Sequence, residues 1–315
     1  MPYEDEEAPL RRIRPRQRIG LSAQEIRDRE SGRFLFSFGF PGSGKTTFQW
    51  MMMNYLMNEG PFRTEIQIPD RDGGPDWEGR EIINSWKSQW IEGRFPDPTK
   101  ATEGDIREVE IKARTTSGKK LDVDFSFLEV SGELLKQVKP SGGIATMSEL
   151  LEAFFENPRF RFVVILMLNP DVEENDQLFA SFLDYLKRFY PDVIDRMSLG
   201  VVVTKPETSL QRLREYGAAD GSTGFAKLDD DALMAYLNRF CGETYQNWLD
   251  WPDEKRTLLA KLNLGTIEEI QGEMRLIEPD FGDIEEIFLW IFEQFAKKRP
   301  GPTLLQKLSG NLNWK

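Results

Sequence analysis

The chain has 315 residues, 39% of them hydrophobic, which is enough to bury one large α/β core or two small ones. Its formal charge is −12, and a surface of this sign is not expected to bind nucleic acid. Histidine is absent, which excludes imidazole bases, Ser-His-Asp triads and histidine-ligated metals. Cys241 is the only cysteine, so no disulfide can form within the chain.

The first residues change from acidic (YEDEE) to basic (RRIRPRQR) and offer little to bury. They predict a flexible charged arm over residues 1–32, and we do not expect the chain to bind nucleic acid except through this arm. No stretch there resembles a signal peptide, and the longest apolar run, FVVILML at residues 162–168, is too short to cross a bilayer. We therefore expect a cytoplasmic protein without a membrane span.

An α/β pattern begins at Arg33. RFLFSF predicts the first strand, and residues 45–59 predict the first helix. A second helical stretch follows, whose large apolar residues share one face, as expected of a helix packed on a core. Those residues are Ile82, Ile83, Trp86 and Trp90. Two runs with a period of two, EVEIKAR and LDVDFSFLEV, flank the turn TTSGKK and predict an antiparallel hairpin at a sheet edge.

Farther along, apolar strands alternate with helices, which is typical of a parallel sheet covered on both faces. The predicted strands are FVVILML, SLGVVVTKPE and RTLLAKLNLG, and DIEEIFLWIFEQFAKKR predicts the closing helix. Residues 209–255 contain helical patterns and no clear strand, so we expect a helical insertion there. The predicted fold is a doubly wound, mostly parallel α/β domain over residues 33–298 with one antiparallel edge hairpin, followed by a tail over residues 299–315.

The segment GFPGSGKTT, residues 39–47, lies between the first strand and the first helix. It matches the P-loop pattern G-x-x-x-x-G-K-[ST] without a mismatch. Glycines let successive amides point at one phosphate, and the helix start adds its positive dipole end. Lys45 would reach the β- and γ-phosphates, and the Thr46 hydroxyl would ligate Mg²⁺. The residues predicted to bind a nucleoside triphosphate here are Gly39, Pro41, Gly42, Ser43, Gly44, Lys45, Thr46 and Thr47.

A second motif, FSFLEVSGE, ends the second strand of the hairpin. A carboxylate at that strand tip, beside the P-loop, would hold Mg²⁺ directly or through water, which is the role predicted for Glu129. Gly132 would bring its backbone amide to the γ-phosphate. The alternative is a carboxylate that merely ends a strand, because E-x-x-G is a frequent pattern.

A third motif, TKPE at residues 204–207, directly follows the strand that ends in VVV. In GTPases the corresponding [NT]-K-x-D reads guanine through its carboxylate, so Thr204, Lys205 and Glu207 are predicted to bind the base. The alternative is an ordinary turn at the exit of a strand. LNLG, residues 262–265, is a candidate by position for a second purine-binding loop.

In this order, the motifs resemble the translation-factor (TRAFAC) class of P-loop GTPases, with a Ras-like fold. The antiparallel hairpin separates this class from RecA-like and AAA-type ATPases, whose core sheets are parallel. EGRFPDPTKAT is similar, more loosely, to the bacterial double-GTPase-type domains of conflict systems. That resemblance implies that Thr99, or alternatively Thr102, contacts Mg²⁺ and the γ-phosphate from switch I. Many relatives carry a water-orienting Gln after the switch glycine, which implies this role for Glu133; the alternative there is a solvated switch residue.

The resemblance implies a Mg²⁺-dependent molecular switch that binds GTP or GDP rather than ATP, hydrolyses GTP slowly and acts with an unknown protein partner in a bacterial defence or conflict system. The implied catalytic residues are Lys45, Thr99 and Glu133, and the implied metal ligands are Thr46, Thr99 and Glu129. Arg63 and Arg94 are the candidates for an arginine finger. Both acidic motif positions carry Glu where the family has Asp. The alternatives are an ATPase subunit of a multi-protein assembly and a nucleotide-bound scaffold without turnover.

Overall fold

The computed structural model describes residues 22–59, 62–67, 77–97, 106–115, 122–130, 138, 146–220 and 225–296. The strands are β1 (Gly32–Phe38), β2 (Phe62–Gln67), β3 (Ile106–Thr115), β4 (Asp122–Val130), β5 (Phe160–Leu168), β6 (Met197–Thr204), β7 (Thr257–Leu262), β8 (Gly265–Ile270) and β9 (Glu273–Pro279). The helices are α1 (Ala23–Asp28), α2 (Lys45–Asn54, extended by a π-helical turn Tyr55–Glu59), α3 (Trp77–Ile91), α4 (Glu149–Glu156), α5 (Asn175–Phe189), α6 (Pro191–Ile194), α7 (Pro206–Asp220), α8 (Asp230–Phe240), α9 (Gly242–Leu249) and α10 (Gly282–Phe295).

Within these residues, seven strands form one sheet in the order β2-β3-β4-β1-β5-β6-β7. β1 pairs in parallel with both β4 and β5, and β6 and β7 continue the parallel sheet. β3 runs antiparallel to β4, and β2 runs antiparallel to β3. β4, β1, β5, β6 and β7 therefore have their carboxyl ends at the same end of the sheet. Doubly wound folds bind their ligands at that end.

Each face of the sheet has its own apolar core. Phenylalanines of β1 and β5 pack on one face with α1, α4, α5, α7 and α8, and the ring centroids of Phe38 and Phe182 are 4.1 Å apart. The other face packs against α2, α3 and α10, where Trp50 and Phe288 are fully buried. The apolar runs of β1, β5 and β6 follow from this arrangement, since a parallel strand between two helical layers is buried on both faces.

The fold class predicted from the sequence is confirmed, and so is the interpretation of the α3 stripe. Ile83 and Trp86 are each 6% exposed, and Ile82 and Trp90 pack against the same core. The helical insertion is built from α7, α8 and α9, although α7 starts at Pro206, three residues before the predicted boundary. No helix among the described residues is long and apolar enough to cross a membrane.

Two strand pairs differ from the sequence-based expectation. The β3–β4 hairpin does not itself form the edge of the sheet, because β2 pairs outside β3 from Phe62 to Gln67. β8 and β9 form a separate two-stranded sheet between β7 and α10, in a stretch with no predicted strand. In β8 no residue is buried, and in β9 only Leu276 is. With so little apolar pattern, this pair could not be recognised from periodicity.

The start of the fold also differs. Ala23–Asp28, which we placed in the flexible arm, form α1 instead. Ser22 and Glu25 make a reciprocal capping box at its start, which satisfies amides that a short helix would otherwise expose. Ile26 is fully buried, and Arg27 Nε donates to Glu156 Oε2 of α4 at 2.7 Å. The described chain is thus anchored to α4 before it enters β1.

Candidate functional site

The loop between β1 and α2 has a backbone that depends on glycine. Gly42 and Gly44 have φ values of +74° and +87°, in the left-handed region that costs other residues energy. Gly44 occupies the position that precedes the first turn of α2, and no side chain caps this helix within the described residues. A loop of this shape, ending at a helix start, orients backbone amides toward an anion.

Gly39 and Lys45 fix the interior of the same loop. A Cβ on Gly39 would lie 2.6 Å from Ser43 Oγ and 2.7 Å from the carbonyl oxygen of Met167, so only glycine fits without a shift of β5 or of the loop. Lys45 Nζ donates to the carbonyls of Gly39 and Phe40, at 2.8 Å each. Its ammonium is therefore held by the loop itself. The strand, loop and helix form a P-loop.

The TKPE segment lies beside the P-loop at the end of β6. The Thr204 hydroxyl donates to the carbonyl of Leu168 at 3.0 Å, and its methyl carbon would lie 3.4 Å from a Cβ on Gly44. Lys205 has a φ of +50°, and its ammonium pairs with the Asp171 carboxylate. Glu207 is exposed in the first turn of α7. The left-handed residue turns the chain sharply from β6 into the helix that carries Glu207.

The residues after β5 join these two segments. Asn169 is 5% exposed, and its Nδ2 donates to the carbonyl of Gly42 at 3.2 Å. Its Oδ1 accepts from the amide of Asp171 at 3.1 Å, and Asp171 in turn holds Lys205. One short turn thus contacts the P-loop through Asn169 and the TKPE segment through Asp171.

The LNLG segment follows β7 and is fixed by acidic residues around α10. The amide of Asn263 donates to Asp283 Oδ2 at 2.8 Å, and its side chain donates to Asp280 Oδ2 at 3.2 Å. Burial raises the pKa of the Asp283 carboxyl, and the hydrogen bond from Asn263 opposes that rise. These contacts hold the LNLG loop against the start of α10.

A cavity of about 550 Å³ unites the three segments. It is lined by Gly42, Ser43, Gly44 and Thr47 of the P-loop, by residues 204–208, by residues 262–265, and by Phe95 and Ile267. Its size falls within the range of small-molecule and cofactor sites. The sequence-predicted phosphate loop, base loop and second purine loop therefore meet around one space.

Other predicted site residues are only partly located. Thr46 lies in the first turn of α2, outside the cavity lining. Glu129 is the second-last residue of β4, one position after Leu128, which pairs with Phe36 of β1. Its backbone thus lies at the edge of the sheet from which the P-loop emerges. Thr99, Thr102, Gly132 and Glu133 lie outside the described residues.

Neither candidate arginine finger lies at the P-loop. β2 is antiparallel to β3, and Arg63 pairs with Arg114 near the end of β3 that adjoins the start of β4. That position is at the opposite end of the sheet from the P-loop. Arg94 Nη1 lies 3.1 Å from Glu92 Oε2, and its Nε lies 3.9 Å from Glu273 Oε2 of β9. It is therefore directed toward the β8–β9 hairpin.

Four site residues were missed from the sequence, one of which, Thr208, directly follows the TKPE segment. Asn169 had a usable signal, because polar residues directly after a parallel strand point into the ligand crevice of such folds. Phe95 lies in EGRFPDPTKAT, where the resemblance pointed only to a threonine, and Ile267 lies in a segment without a motif, so neither had a signal that pointed to the cavity.

Comparisons with known proteins do not assign the chain to a family. No family model matches the chain, and no curated protein matches it. Among solved structures, a chain of the signal recognition particle receptor SRb-GTP/SRX complex from Chaetomium thermophilum is similar, with 12% sequence identity and a TM-score of 0.36, over 84% of this chain and 99% of that chain. At that level of similarity, the fold assignment rests on the strand order and the P-loop geometry.

Proposed function

We propose that this chain is a Mg²⁺-dependent guanine-nucleotide switch of the translation-factor GTPase class, with slow GTP hydrolysis. The observation that carries the proposal is the single cavity of about 550 Å³ between the P-loop and the two loops after β6 and β7. One end offers backbone and cationic groups for phosphates. The other end offers a carboxylate for a base.

At the phosphate end, the amides around Gly42 and Gly44 and the start of α2 would bind phosphate oxygens. Lys45 already lies against the loop, so phosphates held by those amides would meet its ammonium. A helix start also favours negative charge by its dipole. These three contributions act on any nucleoside triphosphate and do not select the base.

At the base end, selection would depend on Glu207. Guanine presents N1–H and an amine as donors, which a carboxylate accepts, whereas adenine presents an unprotonated N1 that a carboxylate repels. Lys205 is held by Asp171 at the turn into α7, so its stem is positioned beside the cavity. Glu207 itself is exposed at the start of that helix and has room to turn toward a base.

Magnesium would be held by the Thr46 hydroxyl and phosphate oxygens, with Glu129 acting directly or through water. The residues fit this ion, because Thr46 is in the first turn after the P-loop and the β4 backbone brings Glu129 to the same sheet edge. Among the described residues no cluster of three or more Asp, Glu, Cys or His could hold a metal, so the phosphates themselves would complete the site. When bound, Mg²⁺ neutralises charge on the phosphates.

We infer slow hydrolysis from the positions of the two candidate arginine fingers. Arg94 is engaged with carboxylates beside the hairpin, and Arg63 is at the far end of the sheet. Neither of these two described arginines reaches the P-loop, and P-loop GTPases without an arginine finger turn over on the order of 10⁻⁴ per second. Thr99 and Glu133 are the residues that we propose contact the γ-phosphate and orient water. A protein partner in a bacterial defence or conflict system, in the cytoplasm, would then supply activation.

An equilibrium titration tests this function. Nucleotide-stripped protein is titrated with fluorescent GTP and ATP, with and without Mg²⁺, using Lys45→Ala as the blank. We expect GTP to bind at least about tenfold more tightly than ATP, which is about 1.4 kcal/mol. Glu207→Ala should bind both nucleotides equally, while Glu215→Ala, an exposed carboxylate in the same helix, should keep the wild-type preference.

The other outcomes discriminate between the alternatives. Equal or tighter binding of ATP would reduce TKPE to a strand-exit turn and favour an ATPase. Absence of binding to either nucleotide would leave a P-loop scaffold. Unchanged affinity of Lys45→Ala would contradict the proposed phosphate end.

A further inference from the structure

The β8–β9 hairpin is inserted between the LNLG loop and α10, and it carries a β-bulge next to the cavity. Thr266 pairs with Glu278 and Ile267 pairs with Leu276, so Ile277 is the extra residue. A bulge turns the neighbouring side chains away from regular alternation and is often found beside binding sites. Here Ile267, adjacent to the bulge, lines the cavity, whereas Ile277 does not.

The other strand of the hairpin holds the chain that leaves α3. The amide of Leu276 donates to the carbonyl of Gly93 at 2.8 Å, and Arg94 forms a β-bridge with Arg275. Gly93 has a φ of +65°, and a Cβ on it would lie 2.7 Å from the carbonyl oxygen of Leu276. The approach is therefore close enough to require glycine. The next residue after the bridge is Phe95, which lines the cavity.

The base of the hairpin is closed by short backbone contacts. The amide of Asp280 donates to the carbonyl of Leu264 at 3.0 Å, and Gly265, with a φ of +102°, would place a Cβ only 2.0 Å from the carbonyl of Glu278. Leu276 is 5% exposed and belongs to the core formed with α2, α3 and α10. The hairpin is thus a fixed wall, because one strand is anchored in the core and its base is closed.

We propose that this hairpin forms the base-side wall of the nucleotide site, where Ile267 contacts the purine ring or ribose and β9 keeps Phe95 in the same wall. The inference rests on the proposed function, since it assigns a ligand to the same cavity. Phosphates are excluded as the group that Ile267 contacts, because an apolar side chain gives no compensation for removing an anion from water. The purine ring is the large apolar surface that a nucleotide offers.

The consequence is a nucleotide that dissociates slowly because the hairpin covers its base. Removal of the Ile267 side chain beyond Cβ should increase the GTP dissociation rate five- to tenfold, equivalent to about 1 to 1.4 kcal/mol. Binding of inorganic triphosphate should not change, because that ligand has no base or ribose. This difference separates contact with the base from a general loosening of the site.

The experiment measures dissociation of fluorescent GTP from the full chain by stopped flow, and competition by inorganic triphosphate at equilibrium. Ile267→Ala is compared with Ile277→Ala. The two isoleucines lie in the same hairpin and are 37% and 44% exposed, but only Ile267 lines the cavity. A second pair is Gly93→Ala and Gly272→Ala. Both glycines have positive φ, but a Cβ on Gly272 meets nothing within 4 Å.

Faster GTP release from Ile267→Ala and Gly93→Ala, with unchanged triphosphate competition and wild-type behaviour of both controls, supports the proposal. Equal release rates for Ile267→Ala and Ile277→Ala, in a protein that binds GTP, overturn the inference and leave the proposed function standing. A parallel loss of triphosphate affinity in Ile267→Ala overturns it too. A wild-type protein that does not bind GTP overturns the proposed function, and with it this inference.

Discussion

Buried asparagines flank β5, with Asn157 before the strand and Asn169 after it, and they hold different structures at the two ends of the sheet. Asn157 Nδ2 donates to the carbonyls of Ile26 and Arg29, at 3.0 Å each, which fastens α1 to the sheet. Asn169 Nδ2 donates to the carbonyl of Gly42 in the P-loop. An asparagine side chain thus anchors α1 at the amino end of β5, and a second asparagine side chain anchors the proposed phosphate loop at its carboxyl end.

The surroundings of the two asparagines also differ: hydrogen bonds surround Asn157, whereas Asn169 lies near a cavity. Near Asn157, Arg196 donates to three main-chain carbonyls, those of Phe155, Asn157 and Phe160, at 2.6 to 2.8 Å. Near Asn169, the chain contains left-handed glycines and a cavity. The amino end is closed by hydrogen bonds that stabilise the fold, whereas the carboxyl end keeps open space for a ligand. Substitutions at the amino end should therefore change stability alone, and those at the carboxyl end should also change binding.

Arg196→Met gives the largest expected effect. Burial lowers the pKa of the Arg196 guanidinium, and the three carbonyls compensate for that burial. Methionine keeps the apolar stem but leaves these carbonyls unpaired, which should lower the free energy of unfolding by about 3 kcal/mol. Urea denaturation measures this loss, and fluorescent GTP titration of the folded variant should give wild-type affinity. Arg188→Met is the control, because Arg188 is exposed and should matter by less than about 0.5 kcal/mol.

A loss of GTP affinity in folded Arg196→Met would contradict the expectation that the amino end of the sheet affects stability but not binding. It would mean that the amino end of the sheet sets the geometry of the P-loop, and the two ends would have to be treated as one cooperative unit.

Substitution of Asn157 and of Asn169, which lie at opposite ends of β5, tests the same difference between the two ends of the sheet. Asn157→Ala and Asn169→Ala should each lower the free energy of unfolding by about 1 to 2 kcal/mol, because each removes buried hydrogen bonds. Only Asn169→Ala should speed nucleotide release, by about fivefold, corresponding to about 1 kcal/mol. The effect should be equal for GTP and ATP, because Asn169 contacts the loop proposed to bind phosphates and does not line the cavity. Stopped-flow release of both nucleotides, with urea denaturation in parallel, measures these values.

If both variants release nucleotide at the same rate, the two ends of the sheet do not differ in their effect on binding. If Asn169→Ala changes the preference between GTP and ATP, the turn after β5 acts mainly through Asp171 and Lys205 on the base loop.

The backbone geometry of the P-loop could be predicted from the sequence almost completely, and the arrangement of the two loops proposed to bind the base only in part. The P-loop is one continuous segment whose function depends on local backbone geometry, so its glycines and Lys45 are visible in nine residues. TKPE could be placed because it follows an unmistakable buried strand. The LNLG segment lies beside TKPE because β6 and β7 pair in parallel and end on the same side of the sheet.

The elements that were missed lack a buried face or are very short. β8 contains no buried residue, and α1 has six residues with Ile26 as its only buried side chain. Their stability comes from specific tertiary contacts, such as the hydrogen bond from Leu276 to Gly93, and not from propensity. β2 was recoverable, since FRTEIQ alternates in the manner of a strand. Phe95 and Ile267 were not, because the hairpin brings them together across more than 150 positions of sequence.

The smallest expected effect concerns Asp283, which fixes the LNLG loop at the carboxyl end of the sheet. Burial raises the pKa of this carboxyl above its ordinary value of 3.8, and Asp280 adds to the rise, while Asn263 and Lys261 oppose it. Because the folded protein then holds this proton more tightly than the unfolded chain, the contribution of Asp283 to stability is lost as pH rises through the folded pKa. Asn at this position cannot titrate.

The difference in unfolding free energy between wild type and Asp283→Asn should therefore grow in favour of wild type as pH falls from 7 toward 4. Urea denaturation of both proteins at each pH measures it, and the other carboxylates cancel in the difference. A difference that shrinks on acidification would mean that the hydrogen bond from Asn263 outweighs burial and that the carboxylate is the favoured form. In that case the LNLG loop would be held by a charge at neutral pH, and protonation of Asp283 would loosen that loop.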